Sequence, residues 1–338
     1  MRGKPAPLDS RRMVPRSPLD DRIVTSPAYE TDIGPHVFPT EKYRGVRERL
    51  QAEGLTRIVE PEPPEREDLL RVHTADYLDD LAALRWTPRT WRSELPISEE
   101  IVRWFELSCG GTTTAARLAV ASGWAAHLGG GFHHAFADRA EGFCYLNDLA
   151  VAARALQAAG EVERVAVIDV DVHQGNGTAA IFAADPTVFT FSIHQEDNYP
   201  VKERSDLDIG LLSFDRSRPG SPYVTDDLYL GLLESALPRT LDSFCPDLVL
   251  YQAGADPYER DRLGGFRLTR EGLARREATV IGACRGRAVP VAITLGGGYA
   301  EDVADTVAIH AETVRAAARF EGAAGDGPDG RRRAADLR

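Results

Sequence analysis

Residues 164–178 read RVAVIDVDVHQGNGT, and the rest of the chain is best read outward from them. The stretch opens with Val165, Ala166, Val167 and Ile168, an apolar and largely β-branched run. Such a run predicts a strand buried on both faces, as in a parallel sheet. At its end Asp169, Asp171 and His173 follow two apart, so an extended chain would point all three to one side, with Val170 and Val172 on the other. Gly175, Asn176 and Gly177 then supply a sharp turn before a helix. Any one of these polar residues could simply cap a strand. Together they place two carboxylates and an imidazole on one face, a costly cluster unless a counter-charge sits nearby. Carboxylate and imidazole are suitable donors for a divalent metal, and the carboxyl ends of strands are where open α/β sheets place their sites.

The chain has 338 residues, 43% of them hydrophobic, enough for one large core. A net charge of −12 argues against a nucleic-acid partner, which would call for a basic face. Four scattered cysteines without a CxxC pair suggest reduced thiols and a cytoplasmic setting. No apolar run approaches the length of a membrane span, and the first residues lack the apolar core of a secretory signal. Composition predicts a flexible tail over 1–21, one domain over 22–320 and a disordered tail over 321–338.

Strands are expected at 22–25, 124–128, 165–169, 188–193, 248–252 and 289–295. Helices are expected at 41–54, from Thr74 to Leu84, and at 101–121 with an interruption at Gly110 and Gly111. Further helices are expected up to Ala159, then at 179–184, 228–241, 268–284 with Thr269 as N-cap, and 302–319. Residues 195–222 read as a long polar loop. The alternation predicts an α/β fold with a central, mostly parallel sheet flanked by helices. Four strand ends carry chemistry: His133 and His134 after three glycines, the Asp169/Asp171/His173 cluster, Asp256, and Tyr299 after Gly296, Gly297 and Gly298.

The motifs GGGFHHA (129–135), GFCYLND (142–148), IDVDVHQGNG (168–177), SIHQ (192–195), AGADPYERDRLGG (253–265) and LGGGY (295–299) make the chain resemble the zinc-dependent histone deacetylase family, with its arginase/deacetylase fold, over 22–320. Gln174 and Asn176 resemble the class IV branch and its bacterial relatives, where class I members carry a second His and an Asp. The resemblance implies that Asp171, His173 and Asp256 hold Zn2+, which lowers the pKa of a bound water to about 7. It implies that His133 and His134 form an acid/base pair, with His134 taking the proton of the water and returning it to the leaving amine. Asp169 would fix the tautomer of His133, and Asn176 would orient His134 without adding charge. Tyr299 would donate its hydroxyl to the oxyanion.

The same resemblance gives a substrate tunnel walled by Gly142, Phe143, Tyr199 and Leu263, with Gly297 near Tyr299. It implies a K+ held by Asp169, Ser192 and the backbone of Asp171, His173 and Ile193. The early segment HVFPTEKY, with His36, would line the back of the pocket. The family's acidic rim residue has no clear counterpart around 95–100. The implied reaction is hydrolysis of an acyl-lysine amide in a peptide or protein, with acetyl and long fatty acyl groups both open. A small acylated amine such as an acylpolyamine is the alternative substrate. A two-manganese ureohydrolase lacks support, because the 253–256 strand end offers one Asp where two would be needed. A non-catalytic acyl-lysine binder would be expected to have lost a ligand or Tyr299, and all are present.

Overall fold

The computed structural model describes residues 17, 19–213 and 223–324. In chain order the elements are β1 (Ile23–Val24), α1 (Glu41–Ala52), α2 (Arg66–Leu70), α3 (Ala75–Ala82), α4 (Glu99–Ser122), β2 (Trp124–His127), α5 (Asp148–Ala158) and β3 (Val165–Asp169). There follow α6 (Asn176–Ile181), β4 (Val188–Gln195), β5 (Leu207–Leu211), α7 (Asp226–Phe244), β6 (Leu248–Gln252), α8 (Arg270–Arg285), β7 (Val291–Thr294) and α9 (Val303–Ala324). All pairings in the sheet are parallel, in the order β1-β2-β7-β6-β3-β4-β5.

The side-chain alternation of the strands divides the interior in two. Ala166 and Ile168 of β3, Val249 and Tyr251 of β6, and Val291 and Ile293 of β7 face the core built with α1, α7, α8 and α9. Val165 and Val167, Leu248 and Leu250, and Ala292 face the other core, filled by α3, α4 and α5. Helices on both faces explain why these short strands are apolar at nearly every position. The chain crosses from β2 over the places of β7 and β6 to reach β3, so a crevice opens at the carboxyl ends of those four strands.

Four expectations are corrected. α4 runs unbroken through Gly110 and Gly111. The glycines serve close packing instead: a Cβ on Gly110 would fall on the Glu62 carbonyl, and one on Gly111 would meet Tyr29 Oη at 2.7 Å. The polar loop contains β5, whose Leu207, Ile209 and Leu211 alternate half-buried against the edge of the sheet. α6 starts at Asn176, earlier than the 179–184 expected. β3 ends at Asp169 as expected, but the chain does not stay extended beyond it: Asp171 and His173 sit on bends, not on one face of a strand. Thr269 caps α8 through its hydroxyl as expected, accepting from Gly272 N at 2.9 Å.

Most of the two expected tails lies outside the described residues. Within them, Leu19 and Asp20 are buried, and Asp20 accepts bonds from Thr56 and Arg57, while α9 continues to Ala324. Among the described residues no helix is long and apolar enough to cross a membrane.

Candidate active site

The four chemically pointed strand ends converge. β2, β7, β6 and β3 are neighbours in that order, so the segments that leave them meet over the sheet's carboxyl edge. Asp171, His173 and Asp256 are buried and bring their donor atoms within 4.8 Å of one another. His173 Nδ1 lies 3.1 Å from both Asp171 Oδ1 and Asp256 Oδ2. Backbone N–H groups and the Gln252 side-chain amide hold the two carboxylates in place. Val172 N donates to Asp256 Oδ1 at 2.8 Å, and Gly297 N and Gln252 Nε2 donate to Asp171 Oδ2 at 3.0 and 2.9 Å.

This donor set fits a divalent cation. Burial and the neighbouring Asp171 carboxylate push Asp256 up to about 7, the behaviour of two carboxylates sharing a site short of positive charge. Glycines make the room: a Cβ on Gly254 would lie 2.7 Å from Asp171 Cγ, and one on Gly297 2.6 Å from Asp171 Oδ2.

Beside this set stand His133 and His134, both buried, their rings 4.1 Å apart. Their partners differ. His133 Nδ1 donates to the Asp169 carboxylate at 2.6 Å, whereas His134 Nδ1 donates to the Asn176 amide oxygen at 2.8 Å. Burial works against protonating His133, but Asp169 and Asp171 overcome it and push the imidazole up to about 9. For His134, burial and the positive charge of His133 and His173 hold the ring well below the ordinary histidine value. The two environments therefore favour the charged form of one ring and the neutral form of the other.

Two acidic groups near the site were not expected. Asn176 Nδ2 donates to Glu141 Oε1 at 2.9 Å, and Glu141 Oε2 pairs with Arg92 at 2.9 Å. A carboxylate thus stands behind the Asn176 amide. Glu141 immediately precedes the GFCYLND motif, but its role depends on how the 141–144 turn packs on α6, which no spacing reveals. Glu94, exposed and in a left-handed conformation, lines the pocket and corrects the expectation that the chain around 95–100 offers no clear acidic rim residue.

The outer pocket holds about 170 Å³ between Glu94, Phe143, Asn198, Tyr199, Leu263 and the ring of Tyr299. Gly142, His134 and His173 complete its floor. Gly142, Phe143, Tyr199 and Leu263 are where a tunnel was expected, while Gly297 lines a second, inner void of about 20 Å³ behind Tyr299. The HVFPTEKY segment closes the back of the site. Phe38 borders the inner void, and His36 stacks edge-on against Phe143 at 4.8 Å. Lys42 of that segment is fully buried, donates to Gly296 O at 2.8 Å, and lies over the Phe38 and Tyr299 rings at 4.8 and 5.6 Å. Burial, offset by Asp256 and Asp171, lowers its ammonium to about 8.

Of the residues expected around a potassium ion, Asp169 and Ser192 are paired across β3 and β4, and Ser192 Oγ lies 2.9 Å from His194 Nδ1. Ile193 follows in β4, and Asp171 and His173 follow β3.

Known proteins resemble this chain over most of its length. An uncharacterized protein of Picosynechococcus sp. is 42% identical over 301 residues, covering 87% of this chain and 97% of that protein. Histone deacetylase 2 of Arabidopsis thaliana is 31% identical over 283 residues, covering 81% of this chain and 72% of that protein. The crystal structure of an acetylpolyamine aminohydrolase from Burkholderia pseudomallei superposes with a TM-score of 0.72 at 22% identity, over 88% of this chain and 98% of the other, which shows a shared fold. The family model of the histone deacetylase domain matches residues 36–314. With a match over that length, the chain belongs to the histone deacetylase family.

Proposed function

We propose that the protein is a zinc-dependent amidohydrolase that removes a short acyl group, foremost acetyl, from the side-chain amine of lysine. The observation that carries this reading is the meeting of three things at two voids that share His134, His173 and Tyr299: the Asp171–His173–Asp256 donor set, the tandem His133–His134 pair, and the Tyr299 ring. Zinc bound to that donor set would act as a Lewis acid on the acyl carbonyl and bring the pKa of a water to about 7.

The remaining roles fall to the chain itself. His134, neutral at physiological pH, accepts the proton of the attacking water and delivers it to the departing amine. His133, whose Nδ1 is held by the Asp169 carboxylate, presents its other ring nitrogen toward the reacting centre as a hydrogen-bond donor when protonated. Tyr299 donates its hydroxyl to the developing oxyanion, and its backbone is held by Asp261, which accepts from Tyr299 N at 2.7 Å. Phe143 and Tyr199 flank the stem of the amine. Membership of the deacetylase family makes a hydrolase acting on amides the expected chemistry, and these groups supply the parts.

The size of the inner void supports a short acyl group. A volume of about 20 Å³ holds one water or a methyl group, not a fatty chain. At the opposite end the Glu94 carboxylate favours a donor amine with further positive charge or amide N–H groups nearby. That feature, with the fold shared with an acetylpolyamine aminohydrolase, supports acetylated polyamines as the second substrate class.

The zinc reading is tested by stripping metal with a chelator and following an acetyl-lysine peptide. Activity should vanish and return with stoichiometric zinc. Undiminished turnover by metal-free protein would refute it.

A further inference from the structure

α8 carries an arginine that the chemistry above does not use. Arg276 is completely buried, and a guanidinium out of water is expensive unless every donor is engaged. Its donors are spent in two directions. Nε and Nη2 donate to Glu277 Oε1 at 3.2 and 2.6 Å. Nη1 donates to two backbone carbonyls, Val170 O at 3.2 Å and Gly254 O at 2.8 Å. Around this core Tyr251 Oη donates to Glu277 Oε2 at 2.6 Å, and Tyr229 Oη donates to Val170 O at 3.3 Å.

The two carbonyls are not arbitrary. Val170 immediately precedes Asp171, and Gly254 lies two residues before Asp256. β3 ends at Asp169 and β6 at Gln252, so both carbonyls lie just past the paired strands. The last rung between them is Val170 N donating to Gln252 O at 3.1 Å. Beyond it the two segments must separate to place their carboxylates, and Arg276 spans the gap with one nitrogen. Gly254 is pinned from both sides, since a Cβ there would press on the Asp171 carboxylate. Packing alone would be met by an apolar residue of the same size. A buried charge that reaches both carbonyls acts on their spacing.

We propose that Arg276 is a positioning residue for the metal: it fixes the separation of the two segments that carry Asp171 and Asp256, and with it the affinity for zinc. The inference rests on the zinc reading of Asp171, His173 and Asp256. Outer partners of metal ligands typically govern affinity by about 10- to 100-fold, and the clamp is expected to lie in that range.

The test is equilibrium competition for zinc between a chromophoric chelator and apo-protein, with a thermal melt of each apo-protein alongside. The proteins are the wild type, Asp256→Ala, Arg276→Met and Arg276→Lys. Asp256→Ala should lose tight binding; if it binds as the wild type does, the metal reading fails and the clamp with it. If it loses binding, Arg276→Met should bind zinc about 10- to 100-fold more weakly. Arg276→Lys should fall between, because an ammonium can serve a carbonyl but not the carbonyls and Glu277 together. Affinities within about twofold of wild type in both Arg276 variants, whatever their melting temperatures, would make Arg276 a stability residue only and overturn the proposal. Should Arg276→Met fail to fold, Arg276→Lys decides by the same twofold criterion.

Discussion

The unequal partners of His133 and His134 permit a test by charge exchange. Replacing Asn176 with Asp would set a carboxylate 2.8 Å from His134 Nδ1. The single change is spoiled by its neighbour, because Asn176 Nδ2 now donates to Glu141 Oε1 at 2.9 Å and an oxygen there would face an oxygen. The informative variant therefore combines Asn176→Asp with Glu141→Gln, whose amide can donate in the reverse sense. Charge centres about 4 Å apart at an effective dielectric of about 20 interact by about 4 kcal/mol. At 1.36 kcal/mol per pKa unit that is an upper bound of about 3, and measured carboxylate neighbours give about 1–3. His133 shows the direction: with the Asp169 carboxylate at 2.6 Å and Asp171 also close, its imidazole is pushed up despite burial. The base must be neutral to accept a proton, so raising its pKa removes activity from the low-pH side. The acid limb of kcat/KM for an acetyl-lysine peptide should move up by about 1–3 pH units in the double variant. An acid limb that stays where the wild type has it would refute the assignment of His134 as the base.

Three further outcomes follow from the geometry. Gly254→Ala would bring a Cβ to 2.7 Å from Asp171 Cγ, forcing that carboxylate to move by about 1 Å. Zinc affinity measured by chelator competition should fall by about 10- to 100-fold in a folded protein. Tyr299→Phe should lower kcat by about 10²–10³ while zinc content, measured by elemental analysis, stays at the wild-type value. Glu94→Gln should raise KM for an acetylated polyamine by about two- to fivefold, less so as salt is added, with kcat little changed, in steady-state assays.

The arrangement of the site is legible in the sequence to the extent that its chemistry sits on the regular elements. Polar residues at the ends of apolar strands stand out against the runs before them. The parallel sheet then brings His133, His134, Asp171, His173, Asp256 and Tyr299 together, because β2, β7, β6 and β3 are adjacent. What escapes is of two kinds. β5 has only three half-buried apolar residues, interrupted by Asp208 and Gly210, so its alternation does not rise above a polar loop. Glu94, Glu141 and Arg276 reach their places through the approach of segments distant in the chain, and no local pattern marks them; Lys42 lies in a segment that the sequence singles out, but its burial does not show there. The glycine pair in α4 misleads for a related reason: its cause is the neighbouring 60–64 segment and Tyr29, not the helix itself.

The most direct test of the account is hydrolysis of matched peptides bearing acetyl-lysine or myristoyl-lysine, with an acetylated polyamine alongside, by zinc-loaded protein and by its Tyr299→Phe variant. The account predicts turnover of the acetyl-lysine peptide, little or none of the myristoyl peptide, and collapse of the activity in the variant. Turnover of the polyamine alone would move the substrate to the second class, and preference for the myristoyl chain would contradict the reading of the inner void. No turnover of any of the three with zinc in place would contradict the central claim.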